Sequence, residues 1–166
     1  NNDWIKYLTF QNTTTPSLTT LASDTFNRAN STDLGANWDA GYTGQTPFKI
    51  ASNAITSTTA GSGSRESYNA VSLPADQWAE ITLSTFSGPH YALAGIYLRM
   101  SGPSSTIGYK FEVTNQFGFS DPTSAIYKTV SGVQTTLVSE TATRWASSDV
   151  LRAEVQGSTL RLYRNN

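Results

Sequence analysis

Apolar and polar positions alternate along most of the chain, and the period is two. In Gln77–Phe86, Ala79, Ile81 and Leu83 alternate with Trp78, Glu80, Thr82 and Ser84. In Tyr91–Met100, Ala92, Ala94, Ile96, Leu98 and Met100 share one face, and Tyr91, Leu93, Gly95, Tyr97 and Arg99 share the other. In Gly108–Thr114, Tyr109, Phe111 and Val113 fall on the inward face, with Lys110 and Glu112 outward. Successive strand side chains point to opposite faces, so this pattern predicts half-buried antiparallel strands. No segment sustains a helical period. Short polar pairs punctuate the rest. Ser52-Asn53 separates Phe48–Ala51 from Ala54–Ser57, Ser131-Gly132 separates Ala125–Val130 from Val133–Glu140, and Gly157-Ser158 separates Val150–Gln156 from Thr159–Tyr163. Each reads as a hairpin. A short strand is expected within Arg65–Leu73, and Thr143–Ser148 reads as a loop holding Trp145. Roughly ten strands separated by turns predict an all-β, antiparallel β-sandwich.

Two stretches depart from the alternation. Asn1–Ala22 contains one strand-like run, Ile5–Phe10, followed by the Thr-rich, Pro-containing Asn12–Thr20. It reads as an N-terminal arm or linker, 1–22, ahead of a sandwich domain, 23–166. The arm is either a tether or a strand that docks on a neighbour. In Ser23–Asp39 the large apolar side chains Phe26, Leu34 and Trp38 are spaced through Asn, Asp, Ser and Gly. They read as anchors of a winding segment, with Asp24–Phe26 expected as a short strand. The polar residues between them supply side-chain-to-backbone hydrogen bonds.

The run Asp24-x-Phe26-Asn27-Arg28-Ala29, followed by Leu34-Gly35-x-Asn37-Trp38, resembles the start of a concanavalin A-like jelly-roll domain of the lectin/glucanase or LamG-like group. Asp76–Leu83, Ala94–Arg99, Asp149–Arg152 and Gly157–Asn165 fit the same resemblance, which spans Asp24 to Asn166. It implies a jelly-roll sandwich of the kind found in secreted bacterial and phage structural proteins. It implies no single activity, because this fold hosts lectins, hydrolases and adhesive modules. The resembling family continues past the last hairpin into further strands. The expectation here is therefore a fragment or an assembly component, its open edge covered by Ile5–Phe10 or by a neighbour.

Composition narrows the partners. Charged residues make up 14% of the chain, against about 25% in average proteins. Serine and threonine number 45, so the surface is polar through hydroxyls. Net charge is −1 with no Lys/Arg run, which leaves no electrostatic footprint for nucleic acid. There is no cysteine, and no apolar run of about 18 residues that would insert into a membrane. The expected location is extracellular or virion-associated.

Candidate chemistry is sparse. Sugar hydrolysis needs two carboxylates facing one bond, and the resembling glucanases place them in an E-x-D-x-x-E triplet that this chain lacks. Glu80, Glu112 and Glu154 fall on outward strand faces with Arg99, Lys110 and Arg152, and read as cross-strand charge pairs. His90, the only histidine, sits in a Gly-Pro turn, and no G-x-S-x-G elbow occurs. No cofactor is expected. Calcium is the one cation suited to so oxygen-rich a chain, with Asp24 as a candidate ligand against a plainer role as a turn-capping acceptor. Of 19 aromatics, Phe26, Trp38, Phe48 and Phe111 are assigned to the core. Trp78, Tyr97 and Tyr42 are assigned to the surface. Trp78 and Tyr97, on the same non-core side as Glu80 and Arg99, are expected to form a shallow aromatic and charged platform for sugars. The expected function is a non-catalytic carbohydrate-binding or adhesive module, with polysaccharide held by Trp78, Glu80, Tyr97, Arg99 and Tyr42. The second expectation is a structural subunit of a virion (decoration, tail or fibre) or of an extracellular filament, joined to neighbouring subunits through the arm or by strand exchange. A hydrolase using Glu80 or Glu112 stands third.

Overall fold

Every regular element among the described residues of the computed structural model is a β-strand. It describes residues 20–39, 46–58, 64–84, 86, 92–101, 107–115, 123–141 and 144–165, and none of these is helical. The strands are β1 (Trp38–Asp39), β2 (Phe48–Ala51), β3 (Ala54–Ser57), β4 (Ser67–Tyr68), β5 (Gln77–Thr82), β6 (Ala92–Leu98), β7 (Ile107–Asn115), β8 (Thr123–Val130), β9 (Val133–Thr141), β10 (Val150–Gln156) and β11 (Thr159–Arg164). They form four antiparallel sheets, ordered β1-β4, β2-β3, β11-β10-β5 and β6-β7-β8-β9. The chain divides into two compact units at Leu73/Pro74. The arm expected over 1–22 falls outside the described residues except for 20–22.

The larger unit holds the three- and four-stranded sheets in a sandwich-like arrangement. Phe111, Val113, Leu151, Ala153 and Val155 are fully buried, and they join Ile96, Leu98, Ile126 and Leu162 in one core fed by both sheets. These are the apolar halves of the period-two pattern, so burial of alternate side chains is what selects the strand register. The expected hairpins form where the turn residues allow them. Ser131 and Gly132 both take positive φ (50° and 77°), the type I′ geometry that matches strand twist. Gly157, at φ 55°, opens the turn between β10 and β11.

The described part of the loop expected around Trp145, residues 144–148, is indeed outside any strand, but the Trp145 side chain is not a surface group. It is 4% exposed and part of the core. Buried Asn115 explains this. Its amide donates to the carbonyls of Phe86 (3.1 Å) and Trp145 (2.5 Å), and its oxygen accepts the Trp145 N–H (3.0 Å). The indole N–H donates to Ser124 Oγ at 3.1 Å. Burial of this one loop residue is tolerated because its backbone groups are paired in this way.

The smaller unit carries β1-β4 and β2-β3, with Leu34 and Ile50 buried. The Trp38 ring packs edge-on against Tyr68 (5.2 Å) and beside Phe26 (5.7 Å). Phe26, Trp38 and Phe48, assigned to the core from sequence, are only half-buried. The strand expected over Asp24–Phe26 does not form. The Asp24 carboxylate accepts the Phe26 N–H at 2.8 Å, and Phe26 adopts φ 53°, a turn rather than an extended path.

Candidate functional site

On the four-stranded sheet, the residues that alternate with the core form an outward face. Strand register arranges them in rows. Gly95, Glu112, Ala125 and Ser139 are successive cross-strand partners, and Tyr97, Lys110, Tyr127 and Thr136 form the next row. On the other side lie Leu93, Thr114, Thr123 and Thr141. Glu112 sits on the central strand β7 between the two smallest members of its row. Position 95 has to be bare, since a Cβ there would come within 2.9 Å of the Phe111 carbonyl oxygen.

Glu112 is 7% exposed although it points away from the core. Its Oε2 is ion-paired with Lys110 Nζ, and its Oε1 accepts from the Tyr127 hydroxyl at 3.4 Å. The Lys110 ammonium lies 5.1 Å from the Tyr127 ring centroid. The hydroxyls of Thr114 and Thr123 are 2.7 Å apart. The result is a low floor of Gly95 and Ala125 around one carboxylate and one ammonium. Tyr97 and Tyr127, two strands and therefore about 10 Å apart, line one side, and threonine hydroxyls line the other.

The residues expected to form a single platform are divided between two sheets. Trp78 and Glu80 lie on β5, whose partner is β10; Tyr97 lies on β6, whose partner is β7. β5 and β6 are consecutive but unpaired, so residues on their non-core sides face away from one another across the core. Arg99 is not on a face at all. Just past β6, at φ 52°, it turns back to the segment before β5. There its guanidinium donates to Ala75 O and to Asp76 Oδ1 (3.0 Å), and its N–H donates to Gln77 Oε1 (3.1 Å). Its work is to clasp a turn. Tyr42 and His90 lie outside the described residues.

Trp78 instead joins a ladder on the outward face of the three-stranded sheet. The Arg152 guanidinium lies 4.9 Å from the Trp78 ring and 5.6 Å from that of Tyr163. Glu154 accepts from Arg152 (3.3 Å) and Arg161 (2.6 Å). Burial, then the Glu154 charge, holds the Tyr163 hydroxyl above its ordinary pKa. Glu80, across from Arg152 in register, remains exposed.

Asp24 does not suit a cation. Its two oxygens take the Phe26 N–H, both Arg28 amino groups (2.6 and 3.1 Å) and the Trp38 indole N–H (3.1 Å). The Arg28 hydrogen bond is the main reason its carboxyl sits below the ordinary value, burial acting the other way. A guanidinium already occupies the place a metal would take. Among the described residues no cluster of three or more His, Cys, Asp or Glu could hold a metal ion.

Sequence reasoning placed Lys110 and Glu112 outward but missed Tyr127, Tyr163 and the depth of Glu112. The signal for Tyr127 was the alternation with Ile126 ahead of the Ser131-Gly132 turn. Comparisons with protein families, curated proteins and solved structures returned no match. The concanavalin A-like resemblance therefore rests on the sequence runs alone.

Proposed function

We propose that this chain is a non-catalytic carbohydrate-binding module. In this reading its two main sheets make a jelly-roll sandwich of the concanavalin A-like kind, and the outward face of β6-β7-β8-β9 receives polysaccharide. The observation that carries the reading is Glu112, buried on the side of the sheet away from the core, beside the bare floor at Gly95 and within reach of Tyr127. Burying an ion pair costs several kcal/mol of desolvation, and a face that only meets water gains nothing from it. A face that recognises hydroxyl groups does gain, because a fixed carboxylate and ammonium offer an acceptor and a donor already in place. Tyr97 and Tyr127 add rings with an apolar body and a polar tip, suited to the C–H faces and hydroxyls of a sugar. Trp78, Glu80 and Arg99 are left out of the site because their side chains serve the other sheet. Glu112 is the only carboxylate on this face among the described strand residues. Glycoside hydrolysis ordinarily takes two, so binding is favoured over cleavage. Polysaccharide is met outside the cell or on a virion surface, which is where such a module would act.

The test is a glycan array with the purified chain, followed by affinity electrophoresis through the polysaccharides it selects. Retention should fall at least about tenfold for Tyr97→Ala and for Tyr127→Ala, the scale of losing one ring contact. It should be unchanged for Trp78→Ala. Retention lost with Trp78→Ala alone would move the site to the other sheet. No retention on any polysaccharide would overturn the function.

A further inference from the structure

The two large sheets end in four edge strands, and one is unlike the others. β5, β6 and β11 are mostly buried or half-buried. β9 is exposed through its first five residues and again at Ser139 and Thr141, with Val133 68% and Leu137 49% exposed. Among the described residues no strand pairs with its outer edge. β9 contains no proline, lysine or arginine, its only protections against edge pairing are the bulge at Leu137 and the core-side Glu140, and Val133, Thr135, Thr136, Val138 and Thr141 are β-branched. We propose that β9 is an interface strand, and that it pairs antiparallel with β9 of a second copy of this chain about a two-fold axis.

The bulge in β9 fixes the register. Tyr127 is opposite Thr136 while Ile126 is opposite Val138, so Leu137 is the extra residue. Val133 and Thr135 therefore share the core-side face with Val138 and Glu140, and Gln134 shares the outward face with Ser139. A sheet continuing from one copy into the next has to match face to face. That condition places Val133 opposite Glu140 of the second copy, Gln134 opposite Ser139 and Thr135 opposite Val138, with both Leu137 bulges at the centre. The hydrogen-bond alternation agrees. The two-residue turn makes Val130 and Val133 a bonded pair, which leaves the backbone groups of Gln134 and, past the bulge, Ser139 turned to the open edge.

The match of faces and open backbone groups in this register points to a second copy as the occupant, and charge does not oppose it. Glu140 is the only charged residue on β9. In this register it meets Val133 rather than its own counterpart, so no like charges oppose one another. One strand pair with its flanking side chains falls in the small interface class, below about 1,200 Å² in total. The dimer is accordingly weak and concentration-dependent.

The experiment uses the whole chain in sedimentation velocity across a wide concentration range, with two variants. The Q134C/S139C double variant places thiols on directly opposed residues, about 5.5 Å apart at Cα, within disulfide range, in a chain with no native cysteine. Oxidation should give a covalent dimer that reductant dissolves. Leu137→Lys brings two ammonium groups together at the axis and should weaken the native dimer at least about tenfold while leaving circular dichroism unchanged. A chain that stays monomeric throughout, with no disulfide dimer, overturns the proposal. So does a dimer that neither crosslinks nor responds to Leu137→Lys, since it would use another surface.

Discussion

The two outward faces of the larger unit use similar residues to opposite ends. On the three-stranded sheet, Trp78, Arg152 and Tyr163 stack, and Glu154 joins Arg152 to Arg161. Charge and ring surface are consumed internally. On the four-stranded sheet, Glu112 and Lys110 form one ion pair over a floor of Gly95 and Ala125, with Tyr97 and Tyr127 to one side. The floor, not the charges, makes the difference. Where large side chains fill every neighbouring position, an arginine and a carboxylate become a strut. Where Gly95 and Ala125 flank the same kinds of group, the floor beside them is lower, although Ala125 itself is only 2% exposed. The first face should therefore respond to substitution through stability, and the second through binding.

The largest expected effect erases the comparison. Phe111 is fully buried beneath both faces, and Phe111→Ala should cost about 3–5 kcal/mol in urea denaturation, the range for emptying an aromatic core site. Both faces would then be lost together. Next in size, Arg152→Ala removes a guanidinium from between two rings and leaves Glu154 with one partner fewer. It should lower stability by about 2 kcal/mol with polysaccharide retention intact. A stable Arg152→Ala that no longer binds would reverse the assignment of roles. Glu112→Gln keeps the volume of the side chain and removes its charge. Retention should fall at least about tenfold, with the stability change held to about 1–2 kcal/mol, read by affinity electrophoresis beside thermal unfolding.

The smallest effect concerns the segment that serves both sheets. Burial pushes the Asp149 carboxyl up, but hydrogen bonds from the Ala146 N–H, Asn165 and Arg164 outweigh it, and the group sits below its ordinary value of 3.8. Its pKa is then lower folded than unfolded. The stability this gives is fully present above 3.8 and is lost as pH falls through the folded value. Thermal unfolding from pH 5 downward should show a steeper acid limb for the native chain than for Asp149→Asn. Equal limbs would show that Asp149 contributes nothing to acid sensitivity.

Most of the strand pattern was legible because alternation and two-residue turns are local. The β2-β3, β8-β9 and β10-β11 hairpins all lie where Ser52-Asn53, Ser131-Gly132 and Gly157-Ser158 place them. The platform of Trp78 with Tyr97 was misread because strand pairing is not local. β5 takes its partner from β10, some seventy residues on, and nothing in either segment says so. Face parity alone cannot tell one sheet from another. Trp145 was hidden for a related reason: its burial depends on Asn115, thirty residues earlier. Asp24 was legible as a turn acceptor, but its pairing with Arg28 and Trp38 needed the fold of the whole segment.

The most direct test is to map backbone amide shifts on a labelled chain while titrating the polysaccharide that the array selects. A site on the four-stranded sheet requires shifts concentrated at Gly95, Tyr97, Lys110, Glu112 and Tyr127, with Trp78, Arg152 and Tyr163 unmoved. Shifts centred on Trp78, Glu154 and Tyr163 would contradict it, and would make the packed ladder rather than the bare floor the binding face.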